Sequence, residues 1–401
     1  MPVPPYYRWY IVALTLVNQA LSVGILIYSF ALFVVPWLGE FEVSRAQMML
    51  AIFFLQITVG LSSPWLGRLL DQHSIRMLVV IGAFCTSLGL FLLSRAEYFW
   101  QIAFVYATFL PVGMVLCGTL ASQTLVSKWF VANRSMAIGI SATGTSLGGF
   151  VFPLVTAELI ASFGWETTLL VLSLVAFVVL VPLNLVILRI PPPVADDAIG
   201  KTSSIDTRIW TNREILSTRV FWIPVMGLIP MNAAFGGVQF NLGAYIGDLG
   251  FDQQSAAQLI SITSLSMIVG KFMFGGLGDV IDHRKLYWLM AFLLTGSMLL
   301  YTGTPGWTEL VLAAILQGVA TGGIMPMMGI VYSSRFGTLS FGRVLGFVNL
   351  FLMVGSFGSI LSGWLFDTFQ SYDYAFLTFM FLLLPCVVAM KWLPDPPTNE
   401  S

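Results

Sequence analysis

Apolar residues in this chain run in stretches of about twenty, broken by short polar loops. That length crosses a hydrocarbon layer at a helical rise of about 1.5 Å per residue. The pattern predicts helices over 9–36, 46–70, 77–95, 99–127, 135–163, 167–188, 220–248, 255–280, 286–304, 308–334, 343–368 and 374–392. The longest polar stretch, 189–219, passes through Pro191, Pro192 and Pro193 and the acidic pair Asp196 and Asp197. Six predicted helices precede it and six follow. It reads as a solvated linker begun by helix-breaking prolines, with a short helical segment around 206–216. The expected architecture is an all-α integral membrane protein: a six-helix bundle over 1–188, a linker over 189–219 and a second six-helix bundle over 220–401.

Composition removes the soluble alternative. Apolar residues make up 57% of the chain, charged residues 9%, and the mean hydropathy is +0.88. A soluble domain wets its surface with about a quarter of its residues charged. The net charge of −1 hides an asymmetry, because fifteen of the eighteen Lys and Arg fall on one side of the predicted spans. Only Arg45 and Arg95 fall on the other, and Lys271 lies within a helix. Positive loops mark the cytoplasmic side, so both termini are expected there. The first helix follows eight residues, has no small-residue cleavage site and is expected to stay attached rather than act as a signal peptide. Short termini and a short linker suggest a multi-pass protein of a bacterial inner (plasma) membrane. Cys85, Cys117 and Cys386 all fall in predicted helices and read as small packing residues.

Two loops repeat. Gly67-Arg68-Leu69-Leu70-Asp71, with Arg76 five residues on, recurs 208 positions later as Gly275-Gly276-Leu277-Gly278-Asp279, with Arg284 five residues on. Arg134, followed by Ala137 and Gly139, is likewise echoed 209 positions later by Arg343, followed by Gly346. A near-constant offset points to a duplicated six-helix unit. An even helix number makes the repeat parallel, about an axis along the membrane normal, with a cavity expected between the halves.

These loops resemble the signature of the major facilitator superfamily between helices 2 and 3 and its echo between helices 8 and 9. A narrower resemblance is to the monocarboxylate transporters and the related oxalate/formate exchangers. It is carried by Arg8-Trp9-Tyr10 leading to Tyr28-Ser29-Phe30, by Trp129-Phe130 with Arg134, Ala137 and Gly139, by Gly164-Trp165, and by Asp367 with Ser371-Tyr372 and Ala375-Phe376. In that family a basic residue, usually Arg, follows Gly in helix 8 and meets the substrate carboxylate. Here the pair is Gly270-Lys271.

Lys271 also stands out on physical grounds. It lies eight residues, a rise of about 12 Å, before Asp279 at the end of its helix. A cation at such depth costs at least about 2.5–3.5 kcal/mol, so it is expected to serve as an anion-binding group. Asn18, Ser22 and Tyr28 on helix 1, Asn232 and Gln239 on helix 7, Tyr332 on helix 10 and Asn349 on helix 11 are the polar candidates to complete the site. Any of them alone could instead tie neighbouring helices by a hydrogen bond. Ile25, Leu26, Met325 and Met328 would suit a short hydrocarbon tail. Lys271 and Glu158 are the proton-relay candidates. His73 and His283 lie in loops and form no metal-ligand set, so no metal or cofactor is expected.

Asp71, Arg76, Asp279 and Arg284, with Arg134 and Arg343, form a charge belt on the cytoplasmic side. Resemblance to the superfamily implies gating contacts of Asp71 with Arg343 and of Asp279 with Arg134. Gly144-x3-Gly148-Gly149 reads as a close helix-packing face. The expected function is transport of a small monocarboxylate, lactate- or pyruvate-like, with a proton, by alternating access. An arriving carboxylate would supply the opposite charge beside Lys271, so anion and proton would load as a near-neutral pair. The alternatives are an organic-anion exchanger or an exporter of amphipathic compounds. An enzyme is not expected, because no catalytic groups cluster at one depth. The partners expected are a small organic anion, protons and the lipid bilayer, without nucleic acid, for a monomeric carrier.

Overall fold

The computed structural model describes residues 6–130, 134–188, 210–278, 280–337 and 340–395. Among these residues every regular element is helical. The first span is α1 (Tyr7–Val23), a π-helical turn (Gly24–Tyr28) and α2 (Phe30–Phe41). It passes the predicted end at 36 because Pro36 sits well inside an already started helix, and it stops where Glu42 turns left-handed at φ 49°. The second span, α3 (Arg45–Gln72), opens on a capping box: the Ser44 hydroxyl accepts from the Gln47 amide, and the Gln47 side chain accepts from the Ser44 amide. The third is α4 (Ile75–Leu93).

The fourth predicted helix is broken into α5 (Phe99–Ala107), α6 (Phe109–Cys117) and α7 (Thr119–Trp129). Pro111 has no amide hydrogen to give the Ala107 carbonyl, which ends α5. The fifth and sixth spans run on as α8 (Arg134–Ile187), with a joint at Gly164, where φ is 78° and ψ 169°, a conformation open essentially to glycine.

In the linker, α9 (Asn212–Ser217) is a single turn and a half at the end of the predicted segment, whose residues 206–209 lie outside the described ones. Thr211 and Glu214 cap it reciprocally. The remaining spans are α10 (Arg219–Asp248), α11 (Gln253–Leu277), α12 (His283–Tyr301), α13 (Trp307–Gly322) with α14 (Ile324–Phe336), α15 (Phe341–Leu352) with α16 (Phe357–Phe369), and α17 (Asp373–Ala389). Ten helical stretches among the described residues are long and apolar enough to cross a membrane. One of them is the pair joined at Gly164, and α12 adds a further helix of 19 residues at the predicted ninth position.

The chain forms two compact units. One comprises Met1–Lys201 with Leu242–Ser261, the other Thr202–Asn241 with Ile262–Ser401. Within the first, glycines let helices meet backbone to backbone. A Cβ at Gly144 would stand 2.3 Å from the Leu16 carbonyl oxygen, and one at Gly148 2.1 Å from that of Ala20. The spacing of four predicted from sequence is therefore the seam between α8 and α1. The second unit has its own seam, where Gly318 and Gly322 of α13 meet the Thr263 and Met267 carbonyls of α11.

Candidate functional site

Lys271 is half-buried on α11. Leu265, Val269 and Phe272, which is 69% exposed, form a stripe along that helix, the apolar face a membrane helix offers to lipid. At 3.6 residues per turn Lys271 points about 100–160° away from each of them. It shares its own side with Ser264, two turns back and fully buried. Gly270, next to it, is pressed against α13: a Cβ there would stand 2.2 Å from the Val319 carbonyl oxygen. The close seam fixes the rotation of α11 and with it the direction of the ammonium.

Positions along α10 and α11 can be compared by counting residues from the four-residue turn that joins them, at the end opposite the basic loops. Lys271 lies eighteen residues along α11, about 27 Å down. Asn232 lies sixteen residues back along α10, about 24 Å down, and Asn349 about 30 Å from the end of α16. The three counts differ by up to about 6 Å. Asn232 is tied to α15, its amide donating to the Leu352 carbonyl at 3.0 Å. Asn349 is exposed.

Gln239 and Tyr332 stand elsewhere. Gln239 is only about 13 Å down by the same count. It is 1% exposed, and neither its amide oxygen nor its nitrogen has a hydrogen-bond partner among the described residues. Tyr332 lies near the basic end of α14, fully buried, and donates to the Phe221 carbonyl at 3.1 Å. It anchors α14 to α10.

The first-unit candidates are more committed than their spacing implied. Asn18 and Asn184 form a reciprocal amide pair, each nitrogen donating to the other's oxygen at 2.9 Å, and Asn184 also donates to the Leu180 carbonyl. This ties α1 to α8 and takes up the Asn18 amide. Ser22 is buried beside the Cys117 thiol. The π turn moves Tyr28 and Ser29 out of register with the α-helical stripe through Asn18 and Ser22. Ser29 closes it, with its amide and hydroxyl both on the Gly24 carbonyl at 3.0 Å.

Asn184 is the residue that stripe reasoning missed, and its signal was a lone amide in the apolar run of the sixth helix. Beside it run Gln19, which donates to the Ser141 hydroxyl and carbonyl, and Ser141, which donates to Thr15 at 2.8 Å.

The charge belt divides. Asp279 lies outside the described residues, and the described structure carries no side-chain detail for Asp71 or Arg134, so the two expected gating contacts fall beyond it. Arg76 donates to the Leu185 carbonyl. Arg284 pairs with Asp395 and, at 3.4 Å, with Asp282. Arg343 donates to the Trp210 carbonyl at 2.6 Å, while the Trp210 amide donates to Ser340 and its ring packs on Phe336. Glu158 is exposed on α8. His283 holds the Gly278 carbonyl through Nε2 and Arg335 through Nδ1, a loop role rather than a metal one.

Ten helical stretches long and apolar enough to cross a membrane, among the described residues, are the make-up of a polytopic membrane protein. The sequence profile of the Major Facilitator Superfamily matches residues 17–301 and 242–401, and the chain belongs to that superfamily. It is similar to monocarboxylate transporter 13 of Rattus norvegicus, at 27% identity over 92% of this chain and 85% of that protein. It is also similar to an uncharacterised transporter of the superfamily, YcxA, from Bacillus subtilis strain 168, at 22% identity over 93% of this chain and 91% of that one. Its fold matches the crystal structure of a bacterial homologue of the human lysosomal transporter Spinster, inward-facing and occupied. The TM-score is 0.67 at 15% identity, covering 98% of this chain and 95% of that one. The protein is a membrane transporter.

Proposed function

We propose that this transporter moves a small monocarboxylate together with a proton by alternating access, with Lys271 as the anion-binding group. The observation that carries this reading is the side of α11 on which Lys271 stands, turned from the exposed apolar stripe and held there by the Gly270 seam. A cation maintained on that side needs a reason, because the cost of placing it in hydrocarbon has to be offset by an interaction. A carboxylate supplies opposite charge and strong hydrogen-bond acceptors together. Asn232 and Asn349, each within about 3 Å of Lys271 by residue count along their helices, are the amides available to its second oxygen or to a neighbouring hydroxyl or keto group. The likeness to a protein named a monocarboxylate transporter supports the same substrate class.

In this reading the basic loops face the cytoplasm of a bacterial cell, and anion and proton cross as a near-neutral pair. The belt pairs of Asp71 with Arg343 and of Asp279 with Arg134 form when the cytoplasmic end closes. Asp71→Asn protein is then expected to favour the inward-open form, read from spin-label distances across the cytoplasmic gate. The main experiment is uptake of radiolabelled pyruvate or lactate into proteoliposomes with an inward proton gradient. Saturable uptake stimulated by acid outside is expected, and Lys271→Gln is expected to abolish it. Full saturable uptake by Lys271→Gln would overturn the assignment.

A further inference from the structure

Two bonds set α4 beside the second half of α8 inside the first unit. The Arg76 guanidinium, in the first turn of α4, donates to the Leu185 carbonyl near the end of α8. Further down, the Ser173 hydroxyl donates to the Ser87 carbonyl at 2.8 Å. Eleven residues along α4 and twelve back along α8 lead from one bond to the other, so the helices run antiparallel and in register.

Between them lies a groove of about 240 Å³. Phe84 and Phe91 of α4 and Leu170, Leu174 and Phe177 of α8 are its walls, all of them exposed. Ser87 and Ser173 stand where the helices touch, and both hydroxyls are taken up, that of Ser87 donating to the Ala83 carbonyl at 3.0 Å. Large walls over small, satisfied floor residues make a slot that offers carbon to whatever fills it. On a membrane helix such a slot faces lipid.

Arg76 stands at its mouth. Eleven residues bring α4 round to within about 20°, so Arg76 lies over the Ser87 floor. Phe84 is eight residues below it, about 12 Å, and Phe91 fifteen, about 22 Å. One leaflet with its headgroups is about 20–22 Å thick, so a lipid whose phosphate meets Arg76 reaches the lower end of the groove with its chain. Among the described residues the guanidinium bonds only to the Leu185 carbonyl, which leaves further N–H groups for a ligand. Neither α4 nor the stretch 167–187 carries an acid. Nothing on either wall therefore neutralises the cation or draws the amine of a zwitterionic headgroup.

We propose that this groove binds one anionic phospholipid from the leaflet on the basic-loop side, its phosphate on Arg76 and one acyl chain between α4 and α8. A guanidinium takes a phosphate by two parallel bonds, and basic sites between spanning helices suit anionic headgroups. The bound lipid bridges the start of the third span and the end of the sixth. The identity of the transported substrate does not enter.

The test uses full-length protein in nanodiscs of dioleoylphosphatidylcholine with a minor share of phosphatidylglycerol carrying a diazirine half-way along one chain. After irradiation, peptide mapping is expected to place cross-links on 84–91 and 170–177 above every other lipid-facing stretch. The same label on phosphatidylcholine is expected to mark them several-fold less. Even labelling of all spans, or equal labelling by both lipids, would mean annular lipid only and would overturn the site.

Native mass spectrometry of lipid titrated into detergent-purified protein separates headgroup from chain. Arg76→Gln is expected to lower phosphatidylglycerol retention several-fold, to the phosphatidylcholine level, and Arg76→Lys to keep most of it. Leu174→Trp leaves the cation in place but narrows the slot, and is expected to weaken retention as well. An undiminished preference in Arg76→Gln, or full retention in Leu174→Trp, sinks the proposal. Displacement of the lipid by soluble glycerol 3-phosphate would do the same, since it would show a phosphate site that needs no chain. If Arg76→Gln does not fold, the cross-link map of the parent protein decides alone.

Discussion

Gly270 and the Val319 carbonyl are in direct backbone contact, with room for a hydrogen but not for a methyl group. The two helices therefore meet at a fixed rotation, and Lys271 inherits its direction from its neighbour. Gly270→Ala puts a Cβ 2.2 Å from a backbone oxygen that cannot swing aside. Overpacking of this kind costs about 1–3 kcal/mol. The expected result is a lower unfolding midpoint in detergent by several degrees and a loss of uptake larger than the loss of folded protein. Thermal unfolding and uptake per mole of folded carrier measure the two.

Lys271→Arg keeps the charge and offers a planar fork in place of a point charge. Saturable uptake is expected to survive with KM changed by less than about tenfold, one decade being about 1.4 kcal/mol of binding. Concentration-dependent uptake beside Lys271→Gln checks it. Parallel loss in both variants would show that the site needs an ammonium and not merely a cation.

Asn18→Leu leaves the Asn184 oxygen buried without its donor, and Asn184→Leu does the reverse. Each is expected to destabilise by about 1–3 kcal/mol, while the double replacement recovers most of it. A double-mutant cycle on unfolding free energies gives the coupling. KM for the anion is expected to stay within about twofold in the double variant, because the amides are spent on each other.

Gln239→Leu removes a buried amide whose two ends find no protein partner among the described residues. Such a change is expected to leave stability unaltered or raise it by about 1 kcal/mol. At about 13 Å from the Lys271 level it should also leave pyruvate KM nearly unchanged. A tenfold rise in KM would place the anion nearer the far end than Lys271 does.

Trp210 clamps the linker to the α14–α15 corner through Ser340, Arg343 and Phe336. Trp210→Ala is expected to speed tryptic cleavage after Arg213 and Arg219 several-fold, read by mass spectrometry over a short time course.

Much of this architecture was readable from the chain because each span has to be apolar over its full length, so the membrane writes the boundaries into composition. Pro111 broke a helix that hydropathy alone drew as continuous, because backbone chemistry at one residue outweighed the apolar run. Gly164, non-helical at φ 78°, falls where the sequence already placed the gap between the fifth and sixth helices. Lys271 was legible for the same reason its neighbours were, as the exception in hydrocarbon. Asn18 was legible as polar but not as spent, since a partner 166 residues away leaves no mark on local spacing. The ion pair of Arg45 with Asp248, whose guanidinium donates to both carboxylate oxygens, was hidden likewise. Charge at a loop edge is ordinary, and only the folded chain shows two such charges in one grip.

The wide turn at Gly24–Tyr28 carries one more consequence. It works as a splice in the first span: the stretch before it and the stretch after it are indexed by different rows of neighbours. Deleting a single residue from that turn would straighten the rod while rotating everything from Phe30 onward by about 100°. The Ala31 and Leu32 carbonyls, which meet Gly243 and the Gln253 amide, would then face the wrong way, although no residue that makes those contacts had been touched.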